Sequence, residues 1–297
     1  MTAHFDKKKL IDRLIVPSDK TISLANDYDP AYKINDLAKE DANGLLQEAI
    51  AEMTELQDKL YAQDTYGVLI LFQALDAAGK DGTIKHVMSG INPQGCDVHS
   101  FKTPSAEELN HDYLWRSAKV LPERGRISIF NRSYYEEVLV VRVHPDFLAQ
   151  QKIPSKDQGK GFWKKRFEQI NNFEKYLVDN GIIVLKFFLN LSKDEQKKRF
   201  LERINLPEKN WKFSVNDLKE RAFWDDYMNA YEDLFNHTST PWAPWYVIPA
   251  NHKWVTHLSV GSVISEKLKS LNLAYPSVSE EFKQALLNAK KTLTEEK

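Results

Sequence analysis

One run of residues constrains this chain more than any other. Gly67-Val-Leu-Ile-Leu-Phe-Gln73 is continuous and apolar, and it leads directly into Ala74-Leu-Asp76-Ala-Ala78-Gly79-Lys80-Asp81-Gly82-Thr83. An apolar run without alternation fits a strand buried on both faces, as in a parallel sheet. A glycine-bearing turn between such a strand and a helix gathers backbone N–H groups around a concave site. The helix N-terminus adds partial positive charge there.

The rest of the chain repeats the same alternation. Further strands are predicted at 97–101, 126–131, 182–189 and 245–249. Helical patterns fall at 40–62, 82–90, 106–118, 133–143, 162–179, 193–204, 215–236, 253–271 and 279–294. Strands alternating with helices predict a three-layer α/β/α fold with a mainly parallel sheet. The stretch to about residue 39 is polar, holds Pro17 and Pro30, and reads as an N-terminal extension wrapping a surface. Residues 150–161, rich in Lys, Gly and Ser, read as a mobile loop. About 150 residues per domain would allow two domains, but no linker divides the chain. The expectation is one domain over 1–297 with helical additions at its termini.

Ligands of such sheets gather at the carboxyl ends of the strands, so the residues after Gln73 and Phe130 are the informative ones. The general phosphate loop reads G-x-x-x-x-G-K-[ST]. Here Gly79-Lys80 stands in the right place. Ala74 replaces the first glycine, and Asp81 replaces the magnesium-binding hydroxyl residue. Lys80 supplies a mobile point charge for outer phosphates. Asp76 is a hard oxygen ligand that could stand in for the missing hydroxyl. Lys85, one helical turn on, adds a further cation. The competing reading is a plain glycine-rich turn feeding a helix.

The second strand end reads Phe130-Asn131-Arg132-Ser133-Tyr-Tyr-Glu136-Glu137. In phosphate-loop kinases a carboxylate at such a position helps hold magnesium. Asn131 offers an uncharged amide oxygen instead, or simply a turn residue. Arg132 can grip phosphate oxygens bidentately. Ser133-x-x-Glu136 also matches a helix capping box, so Glu136 can cap, act in the site, or do both.

Charge and cysteine content narrow the class. The chain has 297 residues, with 41 Lys+Arg against 42 Asp+Glu and a net charge of -1, which argues against a nucleic-acid coat protein. A polyanion ligand would need a local basic channel. One cysteine, Cys96, makes no intrachain disulfide and fits the reducing cytosol. No signal-peptide pattern opens the sequence, and no apolar run approaches the ~18 residues of a membrane span. The histidines lack paired metal spacing, so zinc is not expected. Trp211, Trp224, Tyr227, Trp242 and Trp245 read first as core packing.

With these residues in view, the chain resembles the polyphosphate kinase 2 family. The matching pieces are Asp76-Ala-Ala-Gly-Lys-Asp-Gly82-Thr, Gly90-Ile-Asn-Pro-Gln-Gly95, His111-Asp-Tyr-Leu-Trp115-Arg, Ile129-Phe-Asn-Arg-Ser-Tyr-Tyr-Glu136, Arg142-Val-His-Pro145 and Trp211-Lys-Phe-Ser214. Trp224-Asp-Asp-Tyr227 and Ala243-Pro-Trp245 continue the series, which covers about residues 20–275. Asn131 followed by Glu136 resembles the subgroup often called class III, where other subgroups carry Asp. The resemblance implies a phosphate-loop kinase core with a helical lid, placed at about 150–215. It implies reversible phosphoryl transfer from inorganic polyphosphate to AMP and ADP, possible use of guanine nucleotides, magnesium as cofactor, a cytoplasmic location and a homo-oligomer. It implies no nucleic-acid or membrane partner.

Carried over residue by residue, the resemblance assigns roles. Lys80, Arg132 and the loop from Ala78 through Gly79, Asp81, Gly82 and Thr83 would hold the transferring phosphates. Asp76 would coordinate magnesium with Asn131 as a weaker partner, and Glu136 would lie near the nucleotide phosphates, through a second magnesium. Arg199 and Arg203, four apart on one helix face, would be lid cations, or members of a solvated charged helix capped by Ser192-x-x-Glu195. Lys212 and Arg221 are weaker phosphate candidates. Two rivals stand beside this reading: an ATP-dependent nucleoside monophosphate kinase, and a nucleotide-binding regulator without catalysis.

Overall fold

The computed structural model describes residues 5–34, 37–154 and 158–296. Five parallel strands, β1 (Gly67–Gln73), β2 (Cys96–Ser100), β3 (Ile127–Asn131), β4 (Ile182–Asn190) and β5 (Trp245–Pro249), form one sheet in the order β2-β3-β1-β4-β5. Every residue of β1 is buried, as its unbroken apolar run requires in a central strand. The helices are α1 (Lys7–Leu14), α2 (Leu24–Asp27), α3 (Lys39–Gln63), α4 (Lys80–Val87), α5 (Trp115–Ala118), α6 (Val140–Val143) and α7 (Pro145–Gln150). After them come α8 (Phe162–Asp179), α9 (Lys193–Asn205), α10 (Val215–Ala222), α11 (Trp224–Thr238), α12 (Lys253–Lys269) and α13 (Glu280–Glu295).

The period-two alternation of β1 divides the core. Val68, Ile70 and Phe72 join one apolar cluster with Met53 of α3, Val87 of α4 and Leu258 of α12. Leu69 and Leu71 join another with Ile170 of α8 and Leu234 of α11. Helices therefore cover both faces, which is the three-layer architecture expected. The register pairs Phe72 with Asn131 and Gln73 with Phe188, so the carboxyl ends of β1, β3 and β4 finish side by side.

Several elements differ from their sequence reading. The N-terminal stretch contains a capped helix, α1, whose Leu10 and Leu14 are buried, and an antiparallel bridge joins Ile15 to Tyr246 of β5. The predicted helix 106–118 is only a 3-10 turn at Glu108–Asn110 and the short α5. The Asp112 carboxylate accepts from the Leu114 N–H at 2.9 Å and holds the chain in a turn between them. The predicted helix 133–143 is a 3-10 segment, Tyr134–Val138, broken at Leu139 before α6. Ser133 Oγ takes the Tyr135 N–H in a local turn, and Leu139, at φ -116° and ψ -89°, leaves the helical range. The predicted 215–236 helix breaks at Phe223 into α10 and α11. The expected 150–161 loop lies outside helices after Gln150, and residues 155–157 of it lie outside the described residues. Among the described residues no helix is long and apolar enough to cross a membrane.

Candidate active site

The turn after β1 is built around two positive-φ residues, Ala77 at 62° and Gly79 at 103°. Only glycine adopts the second conformation without strain, which explains Gly79. An alanine held in the left-handed region marks a turn that its surroundings enforce. The first intrahelical bond of α4 runs from the Thr83 N–H to the Gly79 carbonyl at 2.9 Å. The N–H groups of Lys80, Asp81 and Gly82 are therefore the open donors of the helix start. Those of Ala78 and Thr83, both read from sequence as phosphate donors, are engaged within the protein, Ala78 with the Leu75 carbonyl at 3.3 Å.

Lys80 opens α4 and folds back over the turn, donating to the Ala74 carbonyl at 2.8 Å. Enclosure of its ammonium by the protein, with the nearby Arg132 charge, pulls its pKa from 10.5 to about 8. Asp76, Glu136 and Asp81 oppose that shift.

The end of β3 supplies the second half. Arg132 has φ 64°, a rare conformation for a residue with a side chain, fixed by its N–H bonding to the Phe72 carbonyl at 3.0 Å. Its guanidinium meets Asp76 Oδ1 at 3.3 Å, and both groups remain partly open to solvent. Asn131 donates its amide to Asp81 Oδ1 at 2.6 Å. Residues from the two strand ends thus meet in pairs: Asp76 with Arg132, and Asp81 with Asn131.

Glu136 does not complete the capping box that its spacing suggested. Ser133 Oγ accepts from the Tyr135 N–H at 3.2 Å, a two-residue turn bond. The buried Gln73 amide satisfies its neighbours when its nitrogen donates to Glu136 Oε1 at 2.8 Å and its oxygen accepts from the Ser133 N–H at 3.0 Å. Burial pushes the Glu136 carboxyl above its ordinary range, against the pull of Arg132, Lys80 and Arg116. The segment is anchored from behind, where the Tyr134 and Tyr135 hydroxyls donate to Glu174 Oε1 at 2.9 and 2.8 Å. Lys186, wholly buried, donates to Glu174 Oε2 at 2.6 Å and the Thr238 carbonyl at 2.7 Å.

Arg199 departs from its expected place over the phosphates. It is 7% exposed and donates to the carbonyls of Ala77 and Ala78, both at 3.0 Å, and of Ala250 at 2.6 Å. Its Nε reaches Glu195 at 3.1 Å, and its second Nη also contacts the Asn251 carbonyl at 3.3 Å. These bonds make Arg199 a brace behind the turn. Glu195 therefore holds Arg199, while Ser192 Oγ caps α9 through the Glu195 N–H at 3.2 Å. Gln196 extends the brace by donating to the Asp76 carbonyl at 2.9 Å and accepting from Arg221 at 2.8 Å.

The remaining predicted cations are peripheral in this arrangement. Arg203 donates to the Lys212 carbonyl at 3.1 Å and faces Asp217 at 3.5 Å. Arg221 also donates to the Lys193 carbonyl at 2.7 Å. Lys85 and Lys212 are exposed, with Lys212 lying 5.0 Å from the Trp211 ring centroid. Trp211 itself is exposed, unlike the buried Trp224, Tyr227 and Trp245, so the core-packing expectation fails for it. Its segment, the 3-10 turn Pro207–Lys212, buries no residue.

Arg132, Ser133 and Glu136 open onto a cavity of about 560 Å³, which also reaches Phe101, Tyr113, Arg116, Val140, Phe147, Phe162 and Arg166. The wall carries six Lys or Arg against four Asp or Glu. One side is locked by Glu137, which meets Arg166 Nε at 2.8 Å and accepts from Gln151 at 2.7 Å. Arg166 lies between the Tyr113 and Phe162 rings, 4.5 and 4.7 Å from their centroids. Gln73, Gln196, Arg116 and Arg166 were missed by site reasoning from sequence. Only Arg116 carried a signal, as the last residue of the His111-Asp-Tyr-Leu-Trp-Arg motif.

Among the described residues no three His, Cys, Asp or Glu side chains form a ready metal cage. Magnesium does not need one, because it keeps waters and substrate phosphates as ligands beside one or two protein oxygens. The hard oxygens of Asp76, Asp81 and Asn131 suit that chemistry.

A lysine-bearing turn after the central strand, an arginine at the adjacent strand end and an adjoining cavity define a phosphoryl-transfer protein of the phosphate-loop class. The family model Polyphosphate kinase 2 (PPK2) matches residues 36–275, and the chain belongs to that family. It is 53% identical over 266 residues to an ADP-polyphosphate phosphotransferase of Rhodopseudomonas palustris, covering 89% of this chain and 91% of the relative. It is 47% identical over 224 residues to an AMP/ADP-polyphosphate phosphotransferase of Meiothermus ruber, covering 75% and 80%. The crystal structure of Polyphosphate Kinase 2 from Arthrobacter aurescens TC1 superposes with a TM-score of 0.85 at 38% identity, covering 97% of this chain and all of that one.

Proposed function

We propose that this protein is a polyphosphate-dependent nucleotide kinase, moving phosphoryl groups reversibly between inorganic polyphosphate and AMP or ADP. The observation that carries the reading is the meeting of Lys80, Asp76 and Arg132 at two adjoining strand ends, beside a cavity large enough for a nucleotide. Family membership and the names of the relatives support the donor and the acceptors.

Phosphoryl transfer needs in-line positioning and charge neutralisation more than covalent chemistry. Lys80 and the N–H groups of Lys80, Asp81 and Gly82 hold the transferring phosphate. Arg132, pre-oriented by Asp76 and by its strained backbone, grips a second set of oxygens. Magnesium, when bound, neutralises charge between donor and acceptor phosphates, and Asp76 and Asn131 are the residues that would hold it. Glu136, tethered by Gln73, faces the acceptor side, where it sets the position of AMP relative to the longer ADP. Such a role for Glu136 would suit the class III-like subgroup, acting on both nucleotides. The braced segment 193–222, which overlaps the end of the 150–215 lid region, carries Arg203, Lys212 and Arg221 toward the polyphosphate when it closes. A cytoplasmic homo-oligomer completes the reading.

The test is direct. Protein incubated with AMP, magnesium and polyphosphate, without ATP, forms ADP and then ATP, followed by chromatography. Absence of any product from polyphosphate, with ADP formed only when ATP is added, would replace this reading with an ATP-dependent monophosphate kinase. Tight ADP binding without transfer from either donor would make the protein a regulator. Asp76→Asn is expected to lower transfer by at least about tenfold, equal to ~1.4 kcal/mol of transition-state stabilisation.

A further inference from the structure

The His111–Arg116 segment has no role in the chemistry above, yet its last residue reaches the strand ends. Phe101 follows β2 and donates its N–H to the Asn131 carbonyl at 3.1 Å, so its ring is fixed beside the end of β3. The Arg116 guanidinium lies 5.3 Å from the centroid of that ring. It lines the same cavity as Arg132, Ser133 and Glu136.

Its donors are largely unused. An arginine offers five N–H donors in a fixed fork. Among the described residues, Arg116 makes one hydrogen bond, from Nη1 to the Lys102 carbonyl at 2.8 Å. Its facing carboxylate, Glu108, is 3.8 Å away, beyond hydrogen-bond distance. The side chain is only 13% exposed, so water offers little replacement. Burial accordingly works against its charge, and the fields of Glu108, Glu136 and Glu137 compensate in part. A mostly enclosed guanidinium with an open fork, aimed into a cavity beside a phosphate-gripping arginine, is an incomplete anion site.

We propose that Arg116 binds a phosphate of the acceptor nucleotide, closing on its non-bridging oxygens from the cavity wall it shares with Arg132 and Glu136. The inference rests on the polyphosphate-dependent nucleotide kinase reading and adds the residue that holds the acceptor. The competing explanation is structural: Arg116 would only tie residues 102–116 together through the Lys102 carbonyl. The two differ in what they predict for substrate affinity.

The experiment compares wild type, Arg116→Gln and Arg116→Lys in steady-state assays with AMP and polyphosphate varied separately. ADP titration calorimetry and melting curves accompany them. The expected result for Arg116→Gln is a rise of about tenfold or more in KM for AMP and in Kd for ADP, with KM for polyphosphate within twofold. Arg116→Lys, which keeps the charge and loses the fork, falls between. Unchanged nucleotide affinity in a folded Arg116→Gln protein overturns the proposal, as does an equal rise in polyphosphate KM. Should the glutamine variant unfold, the lysine variant decides. A threefold or larger rise in nucleotide KM alone supports the assignment, and no rise overturns it. A wild type that makes no ADP from polyphosphate would instead sink the functional reading, and that outcome is separate from any effect of Arg116.

Discussion

Arg199 and Arg116 are both mostly enclosed, and both stand near the carboxyl ends of the sheet. They differ in where their donors go. Arg199 gives its fork to main-chain carbonyls of two loops and to Glu195, and the turn between β1 and α4 rests on it. Arg116 gives one donor to one carbonyl and leaves the rest facing the cavity. Charge and burial alone do not separate a structural cation from a binding one. Hydrogen-bond partners do, because an anion competes poorly for donors that already hold the main chain together.

The largest expected effect breaks the structural side of this contrast. Arg199→Met leaves buried carbonyls of both loops, and Glu195, without their donor, at a cost of about 3 kcal/mol or more. The melting temperature should fall by several degrees; a variant that melts with wild type would show that the brace holds nothing. Next in size, Lys80→Ala removes a cation with open donors, and transfer should drop at least about tenfold with little change in melting temperature. A large loss of stability there would move Lys80 to the structural side.

The pH profile sharpens the same point. Lys80 titrates near about 8 in the free protein, so its positive charge is lost as pH rises through that value. Where Lys80 limits the rate, kcat/KM should fall toward tenfold per unit above about pH 8. The folded lysine binds its proton less tightly than the unfolded one, so its contribution to stability rises from about pH 8 to 10.5 while activity falls. A flat alkaline limb up to pH 10, or one unmoved in Lys80→Arg, would dissociate Lys80 from the chemistry. Smaller again, Glu136→Ala should change the ratio of AMP to ADP activity by a few fold; an unchanged ratio would remove Glu136 from acceptor placement. The smallest effect is expected at Lys85. As an exposed cation away from the cavity wall, it should shift transfer by less than about twofold when changed to alanine, with the shift erased by salt.

Much of the fold was legible because its signals are local. The unbroken run of β1, the helical pattern of 40–62 that becomes α3 and the glycine before Lys80 each report the environment of their own residues. Breaks within helical patterns were not legible. Residues 133–143 keep an apolar spacing that suits one helix, yet the backbone leaves the helical range at Leu139. The site divides in the same way. Asp76, Lys80, Asn131 and Arg132 were visible because each follows a predictable strand. Gln73 and Gln196 were not, since nothing near them in sequence marks the carboxylate and the carbonyl they serve.

By itself the sequence determined the strand, turn and helix that set a lysine and open amide donors at the carboxyl end of the central strand. It did so because backbone preference and apolar periodicity act over a few residues. Only the tertiary structure decided which arginines spend their donors on the main chain and which keep them open. Arg199 and Arg203 share a helix face and one charge, yet Arg199 lies beneath the turn, against chain segments 51 and 122 residues away. Partners at that distance are chosen when the layers pack, and with them the donors left free for an anion.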